Sequence, residues 1–313
     1  MSKIEGRKKT VIFLIVLVSI LLNMYTFIQA YPETFTIDPG MWGSQIHAKD
    51  FSAYYTGAWR LFHDPSNIYT EGLLNDGQPL IYPQPDPFKY LPSFLIFISP
   101  LLVLNYQEAL IAFDVIQFLL LPIMAFLIYT LLKERSILTI AIVIIIAILQ
   151  PSPVPHWGLS ASYFWQWGEG QDKVLNTTLL LLSFYLGKSG KPILSGTALA
   201  LGAFDPRFFL LSLPLFAFYN KLDLKRAGLS LVASLAMLNF PLLLGGIGFG
   251  FLRMVAERGA STPLYYYALI PLLTLVSIMV VNTKEIYVAL KALFFKMSKY
   301  PRLRPALRYD TQA

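Results

Sequence analysis

The stretch Lys49 to His63 reads KDFSAYYTGAWRLFH. Its apolar and aromatic residues fall at Phe51, Tyr54, Tyr55, Ala58 and Phe62. That spacing marks one face of a helix. The segment is too short and too polar to span a bilayer, so it is expected to lie flat on a membrane surface. Asp50 stands at its start. One reading makes Asp50 an N-cap that accepts free N–H groups of the first turn. The other makes it a base beside a bundle of spans, and one carboxylate can serve both ends.

Around this stretch the chain is strongly apolar. Its 313 residues are 56% hydrophobic and only 14% charged, where a soluble domain carries about 25% charged residues. The composition predicts an all-α polytopic membrane protein. The 23 Phe and 18 Tyr suit a bundle with interfacial aromatic belts. The 19 Gly and 21 Pro fit broken or closely packed helices. The net charge of +7 does not point to nucleic acid, because the excess cations sit at the two ends. Lys3, Arg7, Lys8 and Lys9 precede the first apolar run, and Lys284 to Arg308 follow the last. Such clusters are the positive-inside signal and also suit anionic lipid headgroups. Without cysteine there is no disulfide, thiolate metal site or thiol nucleophile.

The first span is expected over Thr10–Ala30 and is read as retained rather than cleaved. The loop 31–90 holds Glu33, Asp38, Asp50, Asp64, Glu71, Asp76 and Asp86 against Lys49, Arg60 and Lys89. Its net acidity places it on the outer side. Further apolar segments are read at 91–104, 108–132, 136–150, 174–187, 192–204, 208–219, 227–244 and 264–282, about eight or nine hydrophobic helices in all. Segment 91–104 is short and carries Pro92 and Pro100. If it does not cross fully, the basic turns at 133–135, 188–191 and 221–226 and both termini fall on the cytoplasmic side. One membrane unit is expected over residues 1–282, with a basic cytoplasmic tail over 283–313.

Among the ionisable residues, Asp205 and Arg207 interrupt the apolar run 192–219, and Asp114 lies near the start of its span. Charge at membrane depth costs about 2.5–3.5 kcal/mol, so such residues are usually paired or functional. The bland reading puts Asp205 and Arg207 at a partly hydrated rim. Arg207 suits a phosphate contact. Lys89 either snorkels to the interface or faces a phosphate. Gln171, in Gly170-Gln171-Asp172-Lys173, offers donor and acceptor to a sugar hydroxyl, or marks an ordinary span boundary. Trp157, Tyr163, Phe164, Trp165 and Trp167 read as an aromatic belt or a sugar-stacking platform. His47, His63 and His156 are too scattered for a metal site.

The run Asp50-Phe51 with Tyr54-Tyr55, the Phe88-Lys89-Tyr90-Leu91-Pro92 segment with Pro100-Leu101, and Gly170-Gln171 with Asn176 resemble the polyprenol-phosphate-mannose-dependent α-1,2-mannosyltransferases. These form glycosyltransferase family 87, of the GT-C membrane fold, and the resemblance covers about residues 40–215. It implies transfer of a hexose, mannose in that family, from a polyprenyl phosphate to a glycan or glycolipid acceptor on the outer face. It implies Asp50 as general base. Lys49, Tyr54, Tyr55, Lys89, Tyr90, Gln171, Asp172 and Arg207 are the implied substrate contacts. Where the family pattern leads one to expect Lys-Pro, this chain has Asp205-Pro206-Arg207, which moves the implied phosphate contact to Arg207. No metal or other cofactor is expected, and the partners are the lipid-linked donor, the acceptor and membrane lipids, not nucleic acid. Two other classes remain open on the residues alone: a transporter or lipid flippase built on the broken helices at 192–219, and a non-catalytic membrane scaffold.

Overall fold

The computed structural model describes residues 3–35, 49–69, 88, 90–149, 170–242, 247, 250, 253, 269–288 and 291. Among them the chain is all-helical, without strands. In order the helices are α1 (Lys3–Phe35), α2 (Lys49–His63), α3 (Phe94–Ile98), α4 (Tyr106–Leu132), α5 (Ile137–Leu149), α6 (Lys173–Lys188), α7 (Pro192–Gly202), α8 (Pro206–Tyr219), α9 (Leu224–Leu242) and α10 (Leu269–Val281). A 3-10 turn, Pro65–Asn67, follows α2, and another, Ser99–Val103, extends α3.

The breaks follow the local chemistry. Asn105 caps α4 by accepting from the Glu108 N–H at 3.0 Å, while Glu108 reaches back to the Asn105 N–H. This reciprocal box satisfies two of the free donors of the first turn. The run 192–219 splits at residues 203–205, and Pro206 opens α8, where a missing N–H costs nothing. Helix α1 continues beyond the expected end at Ala30 to Phe35.

Among the described residues, the Lys8–Tyr25 part of α1 and the whole of α4 are long and apolar enough to cross a membrane. Phe94–Val103, Ile137–Leu149, Pro192–Gly202 and Phe208–Tyr219 are apolar but shorter than the ~20 residues of a full crossing. Large apolar side chains are exposed along several helices, including Phe13 and Leu21 of α1, Leu119 and Phe126 of α4, and Val232 and Phe240 of α9.

Helix α6 is the hub, packing against α4, α7, α8 and α10, while α7 also packs along α9. Gly196 explains the last contact: a Cβ there would lie 2.3 Å from the Ala227 carbonyl oxygen. Thr197 and Ser230 share a hydrogen bond of 3.2 Å across the same seam. Small residues with hydroxyl bridges let two apolar helices approach backbone to backbone.

Two apolar cores result. The larger runs through the bundle and includes Leu121, Ile128, Ile144, Leu180, Phe184 and Leu199. The second is aromatic and joins α2 to the segment after residue 88, the start of α4 and the α7–α8 turn, through Phe51, Tyr54, Phe88, Phe94, Phe113 and Phe204.

The ends of the bundle differ in chemistry. Lys8 donates to the carbonyls of Lys133 and Arg135 at 2.7 and 2.9 Å. Lys188 donates to those of Thr130 and Leu131, each at 2.9 Å, and Arg135 pairs with Glu285. The start of α1, the α4–α5 turn, the end of α6 and the residues after α10 therefore meet at one basic end. The aromatic core lies at the other.

Candidate active site

Helix α2 has the bounds expected of it, but it is covered on both faces. Residues 51–58 are all buried, including Ser52, Thr56 and Gly57 on the polar side. A Cβ at Gly57 would come 3.1 Å from Leu95 Cδ2 and 3.2 Å from Phe88 Cγ. Phe88 and Leu95 thus cover a face that periodicity marks as outward. Phe62, counted with the apolar face, is 64% exposed. Arg60 is enclosed. His63 is exposed, and its ring stacks on Trp59 at 4.2 Å.

Asp50 lies in the first turn of α2 and is partly exposed. Tyr54, one turn on, shares its face and is packed edge-on to Phe94 with ring centroids 4.9 Å apart. Its hydroxyl donates to Asp172 Oδ1 at 3.1 Å and lies 3.2 Å from the Tyr90 hydroxyl. Tyr90 also donates to Asp172 Oδ1 at 3.1 Å. Burial first, then the charges of Asp172 and Asp50, push the Tyr54 pKa well above its ordinary value. The phenol stays protonated and acts as a donor.

Gly170 sets up the other half. Its φ of +61° lies in the left-handed region that favours glycine. A Cβ there would lie 2.6 Å from Phe51 Cβ, so both the turn and the contact with α2 need the missing side chain. Gln117 of α4 then grips the start of α6, its Nε2 donating to the Gln171 carbonyl at 2.6 Å. Asp172 occupies the N-cap of α6 but does not cap it with its side chain. The carboxylate turns instead to the two tyrosines, with Lys173 Nζ 3.8 Å from Oδ1. Oδ2 is buried without a hydrogen-bond partner. Burial is the leading influence on Asp172 and raises its pKa; Lys173 opposes this, and the nearby charge of Asp205 adds to it. Lys173 also sits over the Phe208 ring, 5.7 Å from its centroid.

The α7–α8 turn closes the site. Asp205 is fully buried there, not partly hydrated at a rim. The Phe204 carbonyl accepts the Leu91 N–H at 3.1 Å, and Asn176 donates to the Gly202 carbonyl at 2.9 Å. Asp114, in the third turn of α4, is likewise buried, with Oδ1 lacking a partner.

Four of the residues implied as functional, Asp50, Tyr54, Tyr90 and Asp172, therefore meet at one end of the bundle. Tyr55 points elsewhere, donating to the Leu104 carbonyl at 2.8 Å. Gln171 is buried beside Asp172. Lys89 and the aromatic residues 157–167 lie outside the described residues, as do His47 and His156; of Lys49 and Arg207 the helical backbone is described but not the side chain. Two contributors were not singled out from the sequence. Lys173 carried a signal, since a cation in the first turn of a helix opposes the macrodipole and asks for a counter-charge. Gln117 carried none: a glutamine in an apolar run does not announce which distant carbonyl it meets.

Chemically, the site pairs an accessible carboxylate with a sealed one. Asp50 is partly exposed; Asp172 is enclosed and holds α2, the segment after residue 88 and α6 together. Among the described residues, no group of three His, Cys, Asp or Glu is arranged to hold a metal ion. Comparison of the chain with protein-family models, with curated proteins and with solved structures gives no match.

Proposed function

We propose that the chain is a multi-pass membrane glycosyltransferase of the GT-C type. In this reading it transfers a hexose, mannose by the resemblance, from a polyprenyl phosphate to a glycan or glycolipid acceptor on the outer face. The observation that carries the reading is the convergence of Asp50, Tyr54, Tyr90 and Asp172 with the α7–α8 turn, at the end of the bundle remote from its basic turns. Exposed apolar side chains along α1, α4 and α9 support the membrane setting. The shorter apolar helices act in it as tilted or broken spans, giving the eight or nine hydrophobic helices expected from the sequence.

Asp50 acts as general base. The acceptor hydroxyl loses its proton to the carboxylate as its oxygen attacks the anomeric carbon. The C–O bond to the polyprenyl phosphate breaks, and the phosphate leaves with the bonding electron pair. Attack opposite the leaving group inverts the centre, as in inverting glycoside chemistry. Arg207 and Lys89 are the cations assigned to the departing phosphate, Lys49 and Gln171 to the sugar and acceptor.

The test is transfer of radiolabelled mannose from polyprenyl phosphate mannose to acceptors in membranes carrying wild type or Asp50→Asn. Asparagine keeps much of the capping ability but takes no proton. The expected loss is about 10²–10⁴-fold, the usual contribution of a general base. A variant as active as wild type overturns the assignment of Asp50, and a wild type without transfer overturns the donor.

A further inference from the structure

A groove of about 350 Å³ runs between α1 and α4, away from the candidate active site. Lys9, Ile12, Val16 and Ile20 line it from α1, Pro122 and Tyr129 from α4. On each helix the lining residues recur at three- and four-residue intervals, so two apolar stripes face each other across a gap. From Lys9 to Ile20 the groove is about 16 Å long, roughly half of the ~30 Å hydrocarbon core and so one leaflet deep. Its mouth is at the basic end. Lys9 lines it there, and Lys8 ties the start of α1 to the carbonyls of Lys133 and Arg135.

We infer that this groove holds one anionic phospholipid of the leaflet at the basic end. An acyl chain fills the apolar length, and the phosphate meets Lys9. Basic pockets beside spans on the cytoplasmic side are suited to such headgroups. The donor's polyprenyl tail is a poorer occupant, because the groove's charged mouth lies at the opposite end from Asp50 and Asp172. The inference rests on the membrane setting proposed above, but not on the transferase reading.

The test is native mass spectrometry of the full chain released from nanodiscs of equimolar phosphatidylglycerol and phosphatidylcholine. Wild type should retain phosphatidylglycerol in preference. Lys9→Gln should retain about fivefold less, the change expected for one cation near an anionic surface. Val16→Trp, which fills the groove, should lose the preference, whereas Leu229→Trp on the exposed face of α9 should keep it. Equal retention of the two lipids, or Val16→Trp and Lys9→Gln behaving as wild type, overturns the inference. A wild-type dimer that Val16→Trp dissolves also overturns it and makes the groove a contact with a second copy. Release of the chain from membranes by alkaline carbonate would instead sink the membrane setting itself, while absence of mannose transfer leaves the lipid site untouched.

Discussion

At the scale of single residues, the two carboxylates of the site differ by environment rather than chemistry. Asp50 keeps contact with solvent; Asp172 is enclosed and receives two phenolic hydrogen bonds on one oxygen. Removing that acceptor strands one buried donor, since the two hydroxyls, 3.2 Å apart, can then bond to each other, so Asp172→Ala should lower stability by roughly 1–3 kcal/mol. Asp172→Asn keeps an acceptor oxygen for the phenols and is expected to cost less than Asp172→Ala. The pH dependence has a definite sign. Burial raises the carboxyl above its usual 3.8, so the native state binds the proton more tightly than the unfolded chain. The contribution is fully present below pH 3.8 and is lost as pH rises through the raised folded value. Thermal unfolding in detergent should thus show wild type losing ground to Asp172→Asn as pH increases. If wild type gains instead, the ion pair with Lys173 outweighs burial.

At the scale of elements, glycines test how the site is assembled. Gly170 and Gly190 both have positive φ, but a Cβ at Gly190 meets nothing within 4 Å. Gly190→Ala should cost only the left-handed backbone, about 1–2 kcal/mol. Gly170→Ala adds overpacking against Phe51, about 1–3 kcal/mol more, and should shift α2 from α6. Comparing the two midpoints in thermal unfolding, with mannose transfer alongside, separates backbone strain from displacement of Asp50. Gly196 and Gly228 form a second pair. Gly196→Ala drives a methyl into the backbone of α9 and should cost about 1–3 kcal/mol. Gly228→Ala meets nothing and should gain about 0.5–1 kcal/mol from helix propensity. Equal effects within either pair would contradict the packing described.

The same elements divide what was legible in the chain from what was not. The limits of α2 and the break at Asp205-Pro206 could be read because each is set locally, by side-chain period and by proline. The covering of α2 could not. Ser52, Thr56 and Gly57 look like a solvent face, and distant residues such as Phe88 and Leu95 make it an interior one. For the same reason Asp205 reads as a rim residue when it is buried. The Asp172 network joins residues up to 118 positions apart, a separation at which no spacing rule operates. Tyr54 and Asp172 were reached by resemblance, Lys173 and Gln117 only by structure.

At the scale of the whole molecule, the separation of a basic end from the site is the feature that orients the chain. For the proposed membrane setting, the positive-inside rule predicts Lys8, Lys133, Arg135 and Lys188 on the cytoplasmic side and Asp50 on the outer side. The absence of cysteine makes this directly measurable, because single thiols can be added without removing any. His63→Cys reports the end that carries the site, and Ser189→Cys the basic end; both positions are exposed. In intact cells a membrane-impermeant maleimide should label His63→Cys and spare Ser189→Cys, and after permeabilisation it should label both. The reverse pattern would place the site in the cytoplasm, where an outward-facing lipid-linked sugar cannot reach it. Labelling of both thiols in intact cells would mean that the ends do not face opposite compartments. The bundle would then not be spanning in the sense its charge distribution requires, whatever its helices allow by length.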